Sequence, residues 1–171
     1  MAASGKIITP ELVDHIRAQF RLDWDWIHGA SHWARVRANG LRLAPETGAD
    51  PRVVELFAFL HDSQRENDGW DPEHGDRAAE FAIGLNGRFF DLDVPELDLL
   101  VAACRGHSHG GLDGHPTVLT CWDADRLDLG RVHKRPDPER LCTAAAREAG
   151  TIAWAWGRSR DWLARNGRRE D

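Results

Sequence analysis

Lysine is almost absent from this chain: only Lys6 and Lys134 among the 22 basic side chains are lysine, and the rest are arginine. The basic residues are outnumbered by 28 acidic ones, the formal charge is −6, and no strongly basic or acidic tail is present. A protein that coats nucleic-acid polymers nonspecifically needs a basic excess to neutralise phosphates. That class is disfavoured, whereas a nucleotide-sized ligand is not. The three cysteines, Cys104, Cys121 and Cys142, are odd in number, widely spaced and without a C-x-x-C pair. A disulfide framework and a zinc–thiolate site are both disfavoured on that count. No apolar stretch approaches the roughly 18 residues of a membrane span. The opening MAASGKIITPEL lacks the continuous apolar segment of a secretory leader. These absences predict a soluble protein of a reducing, cytoplasmic compartment, with no membrane and no nucleic-acid polymer among its partners. They say nothing of its oligomeric state.

Strand signals are also scarce. Tyrosine is missing, and alternating β-branched runs are few. Helical signals fill most of the chain. Pro10 opens PELVDHIRAQF, with Leu12, Ile16 and Phe20 at spacing four. Asp50-Pro51 reads as an N-cap followed by proline at the first helical position. The run VVELFAFLHD after it is apolar over so broad a surface that burial nearly all round is predicted. Helices are also predicted after Pro72, Pro95, Pro116 and Pro138, with a last one over about 152–164. His28 and His32, four residues apart, would face the same way on a helix. The expected fold class is all-α, a single-domain bundle of six to eight helices with a core over about 10–165 and a frayed tail at 166–171.

Nine histidines stand out in 171 residues. Most histidines are surface or satisfied core residues, so position must single out the informative ones. His61-Asp62 directly follows the most apolar run of the chain. A carboxylate carried into a core needs a partner, and a divalent cation supplies one while accepting imidazole beside it. The bland reading is a capping Asp62 at an exposed helix end. His32 lies in GASHWARV, with Arg35 about one turn on. Asp123 adjoins the apolar positions Val118, Cys121, Trp122 and Leu127, while Asp125 and Asp128 lie further round; a solvated charged face is the alternative. His74 falls in the first turn of its helix. His107 and His109 enter a glycine-rich loop, where backbone can approach a ligand closely. Trp70, in the loop after the dipeptide, reads either as a base-stacking surface or as a core side chain.

Taken in order, these residues resemble the HD-domain superfamily of metal-dependent phosphohydrolases. His32 to Val36 is similar to the family's H-x-x-R-V, Phe59 to Asp62 to its apolar-apolar-H-D, and Asp123-Ala-Asp-Arg-Leu-Asp to its terminal aspartate motif. The similarity spans about 29–131. The resemblance implies an HD-type bundle in which His32, His61, Asp62 and Asp123 hold a divalent ion. Two-metal members carry a histidine before G-x-x-A-A and a later histidine pair before Asp-Gly. Here His74 precedes Gly75 and Ala78-Ala79, and His107 and His109 precede Asp113-Gly114. His74 and His107 are therefore implied as second-metal ligands or catalytic groups. The histidine pair is split by Ser108, and Gly110 replaces the usual glutamate. Arg65 stands where an acidic residue is typical, which departs from the family's nucleotidases and guanosine-tetraphosphate hydrolases, so neither substrate carries over.

Oxygen and nitrogen ligands suit Mn, Fe, Co, Ni or Mg, one or two ions per chain. Arg35, Arg65, Arg126 and His109 are candidates to bind phosphate or to support the ligands, since a guanidinium fork takes two oxygens. The implied activity is hydrolysis of a small-molecule phosphate ester, a nucleotide among the options. The alternatives are a mixed-valent di-iron oxygenase on the same scaffold and a non-catalytic metal-binding or sensor module.

Overall fold

Proline, with a cap residue ahead of it, marks half of the α-helix starts among the described residues. The computed structural model describes residues 6–167. Eight α-helices occur among them: α1 (Pro10–Gln19), α2 (Ala30–Thr47), α3 (Pro51–Leu60), α4 (His74–Leu85), α5 (Val94–Gly106), α6 (Pro116–Arg126), α7 (Ala144–Arg147) and α8 (Ala149–Asn166). Helices α1, α3, α5 and α6 carry proline in the first two positions, where its missing N–H forfeits no helical bond. The orphan donors of these first turns find side-chain acceptors. Thr9 accepts from Leu12, Asp50 from Arg52, and His115 Nδ1 from Thr117. Asp93 and Glu96 satisfy each other's backbone N–H groups in a capping box. The single extended pairing among the described residues is an isolated bridge between Asn86 and Phe90. No helix among them is long and apolar enough to cross a membrane.

Three expectations need correction. His28 lies outside α2, whose N-cap is Gly29, so it does not share a helix face with His32. Helix α4 starts at His74 rather than after Pro72, because Asp71 organises a preceding turn by accepting from the Glu66 N–H and pairing with Arg77. After Pro138 the chain makes only a 3-10 turn over Pro138–Arg140 before α7. The intervening N–H groups of Cys142 and Thr143 donate to Asp123 instead of to a helical ladder. At the other end, α8 still includes Asn166, and residues 168–171 of the expected tail lie outside the described residues.

Helix α3 is the hub, packed against α2, α4, α5 and α6. Its Val53, Val54, Leu56, Phe57, Ala58 and Leu60 are buried, as its sequence predicts. Each large side chain so buried contributes about 1.5–3 kcal/mol. A second cluster, Leu43, Leu127, Leu141, Ile152 and Ala155, fastens α8 to α2 and to the end of α6. Where α2, α3 and α6 meet, Gly40 permits the approach: a Cβ there would stand 2.3 Å from Val54 Cγ1 and 3.4 Å from the Ala124 Cβ. Beside it, Asn39 Nδ2 donates to the Ala124 carbonyl at 2.9 Å.

This junction predicts opposite outcomes for two glycine substitutions. G40A overpacks a closed contact and should cost about 1–3 kcal/mol, lowering the melting midpoint by roughly 3–10 °C. At Gly157, inside α8, a Cβ would meet nothing within 4 Å, so G157A should raise stability by about 0.5–1 kcal/mol. Thermal unfolding followed by circular dichroism checks both signs.

Candidate metal centre

Buried helix ends deliver the imidazoles. His61 follows the last residue of α3, and its Nδ1 lies 3.1 Å from the Phe57 carbonyl and 3.2 Å from that of Ala58. A carbonyl only accepts, so Nδ1 carries the proton and caps the last turn. His107 repeats this at the end of α5, donating to the Cys104 carbonyl at 2.7 Å. His74, the first residue of α4, donates from Nδ1 to the Asp71 carbonyl. The fourth, His32 in the first turn of α2, donates instead to the Asp128 carboxylate at 2.6 Å. With each Nδ1 proton committed, the four Nε2 atoms are the ring positions left to face the cluster, each with a lone pair once its ring is neutral.

Those lone pairs face one another. The Nε2 atoms of His32 and His61 are 3.2 Å apart, and those of His74 and His107 are 2.8 Å apart. Asp62 stands between the pairs. Its Oδ2 is 3.5 Å from His32 and 3.4 Å from His61, while its Oδ1 is 3.3 Å from His74 and 3.6 Å from His107. Asp125 Oδ1 joins the first pair at 3.3 Å from His32 and 3.6 Å from His61. Bonds of about 2.0–2.2 Å to one ion place neighbouring ligand atoms roughly 3–3.5 Å apart, so these groups could hold a divalent cation. The six side chains fall into three such overlapping groups, and two ions sharing Asp62 would use all of them.

The electrostatics describe a site short of positive charge. Burial opposes charging of His61, yet the Asp62 charge and the contact with Asp125 push it up to about 10. His32 is also raised against its burial by Asp125, Asp128 and Asp62. Burial alone would raise Asp62 and Asp125, but the histidines hold both well below the usual carboxylate range. His107 is lowered by its burial, which keeps its Nε2 lone pair free. Cys104, pushed up to about 12 by burial and then by Asp62, stays a thiol.

Asp123 is not part of this cluster. Fully buried, it accepts from Cys142 N at 2.6 Å and from Thr143 N and Oγ1 at 2.8 and 2.7 Å. Both its oxygens are engaged by the segment entering α7. Asp125 stands two residues on, some 200° round the helix at 100° per residue, and takes the place expected of Asp123. One turn further, Asp128 is the second residue that motif matching missed. Its carboxylate receives Arg35 at 2.7 and 3.1 Å and Ser159 Oγ at 2.5 Å in addition to His32. Against its burial, His32 and then Arg131 and Arg35 hold it down to about 2. The spacing of Asp125 and Asp128 at i and i+3 was the available signal.

The arginines divide. Arg35, buried and stacked on Trp162 with 4.6 Å to the ring centroid, supports His32 through Asp128 and is not free to bind phosphate. Arg65 donates to Asp62 Oδ1 at 2.8 Å. Arg126 donates to the carbonyls of Arg140 and Gly111, both at 2.9 Å. His109 is exposed and belongs to none of the donor groups found among the described residues. His28 pairs with Asp68 at 2.7 Å. Trp70 is 87% exposed, so the core reading of it fails. A cavity of about 680 Å3 opens beside the cluster, bounded by His107 and Asp125 and by Arg126, Arg131, Lys134 and Arg135 among others.

No protein-family model and no curated protein matches the chain. A solved structure does: a predicted HD superfamily hydrolase from an uncultured Thermotogales bacterium, with 27% identity and a TM-score of 0.65, over 91% of this chain and 88% of that one. Helix order, the His61-Asp62 turn at the end of the central helix and this similarity together make the architecture an HD-domain fold.

Proposed function

We propose that the chain is a metal-dependent phosphohydrolase acting on a small phosphate ester, with nucleotides among the candidate substrates. The observation that carries this reading is the convergence of four Nε2 atoms, in two close pairs, on the two oxygens of Asp62. His32, His61, Asp62 and Asp125 would hold one divalent ion, and His74, His107 and Asp62 a second. Their nitrogen and oxygen atoms suit Mn, Fe, Co, Ni or Mg. Such ions supply Lewis acidity to a phosphoryl oxygen and lower the pKa of bound water.

The chain's own residues orient and neutralise. Asp128 fixes His32, and the backbone carbonyls of Phe57, Asp71 and Cys104 fix the other three rings, so no imidazole has to be ordered when a ligand arrives. Arg65 offsets part of the Asp62 charge. His107 and Asp125 border the cavity, which presents an ester to that side of the cluster. The arginine-rich wall beyond them favours an anionic substrate.

Metal content separates the two aspartates. Purified protein should carry about two divalent ions per chain by plasma mass spectrometry. D125A should lose at least one of them. D123A should keep both and instead lose about 1–3 kcal/mol of stability from its unpaired donors. Undiminished metal in D125A would remove Asp125 from the site.

The second pair is tested in the same way. H74A or H107A should each release about one ion per chain and leave the other bound. A panel of phosphate monoesters and nucleotides should then show phosphate release that disappears with chelator and returns with Mn. A fully loaded protein that hydrolyses none of them would overturn the phosphohydrolase reading.

A further inference from the structure

The cavity beside the cluster is larger and more cationic than one phosphoryl group requires. Its wall carries Arg126, Arg131, Lys134, Arg135 and Arg140, against the carboxylates of Asp125 and Asp137. Asp125 is committed to the metal centre. This concentration of positive charge runs against a chain whose net charge is −6, and it includes one of only two lysines. Arg126 and Arg131 are tied to backbone carbonyls, Arg131 to those of Ile27 and Asp128. Carbonyls hold the Arg126 guanidinium in place without cancelling its charge, whereas that of Arg131 also lies 4.0 Å from the Asp128 carboxylate that Arg35 shares. Lys134 and Arg135 are exposed, and neither forms an ion pair among the described residues. Arg140 has only a 3.8 Å approach to the exposed Asp137.

The segment that bears these three side chains is held in position. It leaves a 3-10 turn over Leu129–Val132 that Arg131 anchors, and it returns to the N–H groups of Cys142 and Thr143 on Asp123. Between the two anchors Pro136 is buried, and the Arg140 carbonyl accepts from Arg126. Cations on a prepositioned segment recognise an anion at low ordering cost. A cavity of about 680 Å3 is in the range that encloses a metabolite-sized ligand.

We propose that the substrate carries a second anionic group, phosphate or carboxylate, besides the phosphoryl group at the metal centre, and that Lys134, Arg135 and Arg140 bind it. This rests on the phosphohydrolase reading for the placement of the first group. Residues 133–140 are then the specificity element, and the substrate class is a doubly anionic phosphate ester.

Alkylphosphonates test this without turnover, because their C–P bond is not an ester. Chains of three to six carbons ending in methyl, carboxylate or a second phosphonate are titrated calorimetrically into the Mn-loaded protein. At one or more lengths the second anion should tighten binding about tenfold, as charge-assisted contacts do. The larger gain tells carboxylate from phosphate. In the K134Q/R135Q/R140Q variant the gain should fall to threefold or less, with the melting midpoint checked to show the fold is kept. K134Q/R135Q serves as the milder variant, and R88Q, an exposed arginine outside the cavity, should keep the full gain. Absence of any gain at every length, or a gain that survives the triple variant, overturns the proposal. A gain lost in the variant from a protein that hydrolyses no ester would uphold this binding site and reject the hydrolase reading alone.

Discussion

Four buried imidazoles share one constraint: each has committed its Nδ1 N–H inside the protein. His61 and His107 give it to carbonyls in the last turn of a helix, His74 to the Asp71 carbonyl in the turn ahead of α4, and His32 to Asp128. The opposite nitrogens are left with one another and with the carboxylates of Asp62 and Asp125 as neighbours, surroundings that draw in positive charge, whether a proton on His61, whose pKa is pushed up to about 10, or a cation in its place. Burying unsatisfied acceptors costs free energy that must be offset by something positively charged. The helix ends are placed to create this shortage, and the carboxylates of Asp62 and Asp125 deepen it. The fold is therefore organised around a lack of positive charge that a cation would fill.

The rest of the architecture serves to hold those ends in register. Helix α3 is apolar over most of its surface, so it can be packed on from several sides and still terminate in the interior with His61-Asp62. Gly40 lets α2 and α6 close on it, which brings His32 and Asp125 to the same point. Helices α4 and α5 pack together and bring His74 to His107. Each pair of histidines thus reports one helix packing, and Asp62 reports that both packings are correct at once.

Much of this was legible in the sequence, for physical reasons that differ by residue. Prolines with preceding caps marked four helix starts because both groups act within one turn. His61-Asp62 was legible because a charged dipeptide cannot follow a run such as VVELFAFL without a partner. The aspartates of α6 were not resolved, because D-A-D-R-L-D offers three carboxylates within six positions and resemblance selected the first. Only the packing of α6 against α2 and the 141–143 segment decides which side of the helix faces which neighbour. The stretch after Pro138 misled for the same reason. Its helix start signal is genuine but weak, and a buried acceptor far away in sequence outcompetes it. Ser159 carried no local signal, since its hydroxyl meets Asp128 only after α8 has docked.

That last contact has a wider meaning. Ser159 and Trp162 on α8 hold Asp128 and Arg35, which in turn hold His32. The helix farthest along the chain therefore buttresses a side chain from α2, with no ligand atom of its own. Thermodynamic linkage makes such an arrangement reciprocal: whatever free energy α8 contributes to ordering His32, an occupied centre contributes equally to the docking of α8. A centre filled with cations would then act as a clasp on the end of the molecule as well as a place for chemistry, and loss of the cations would be felt first as loosening of α8 at its seam with α2.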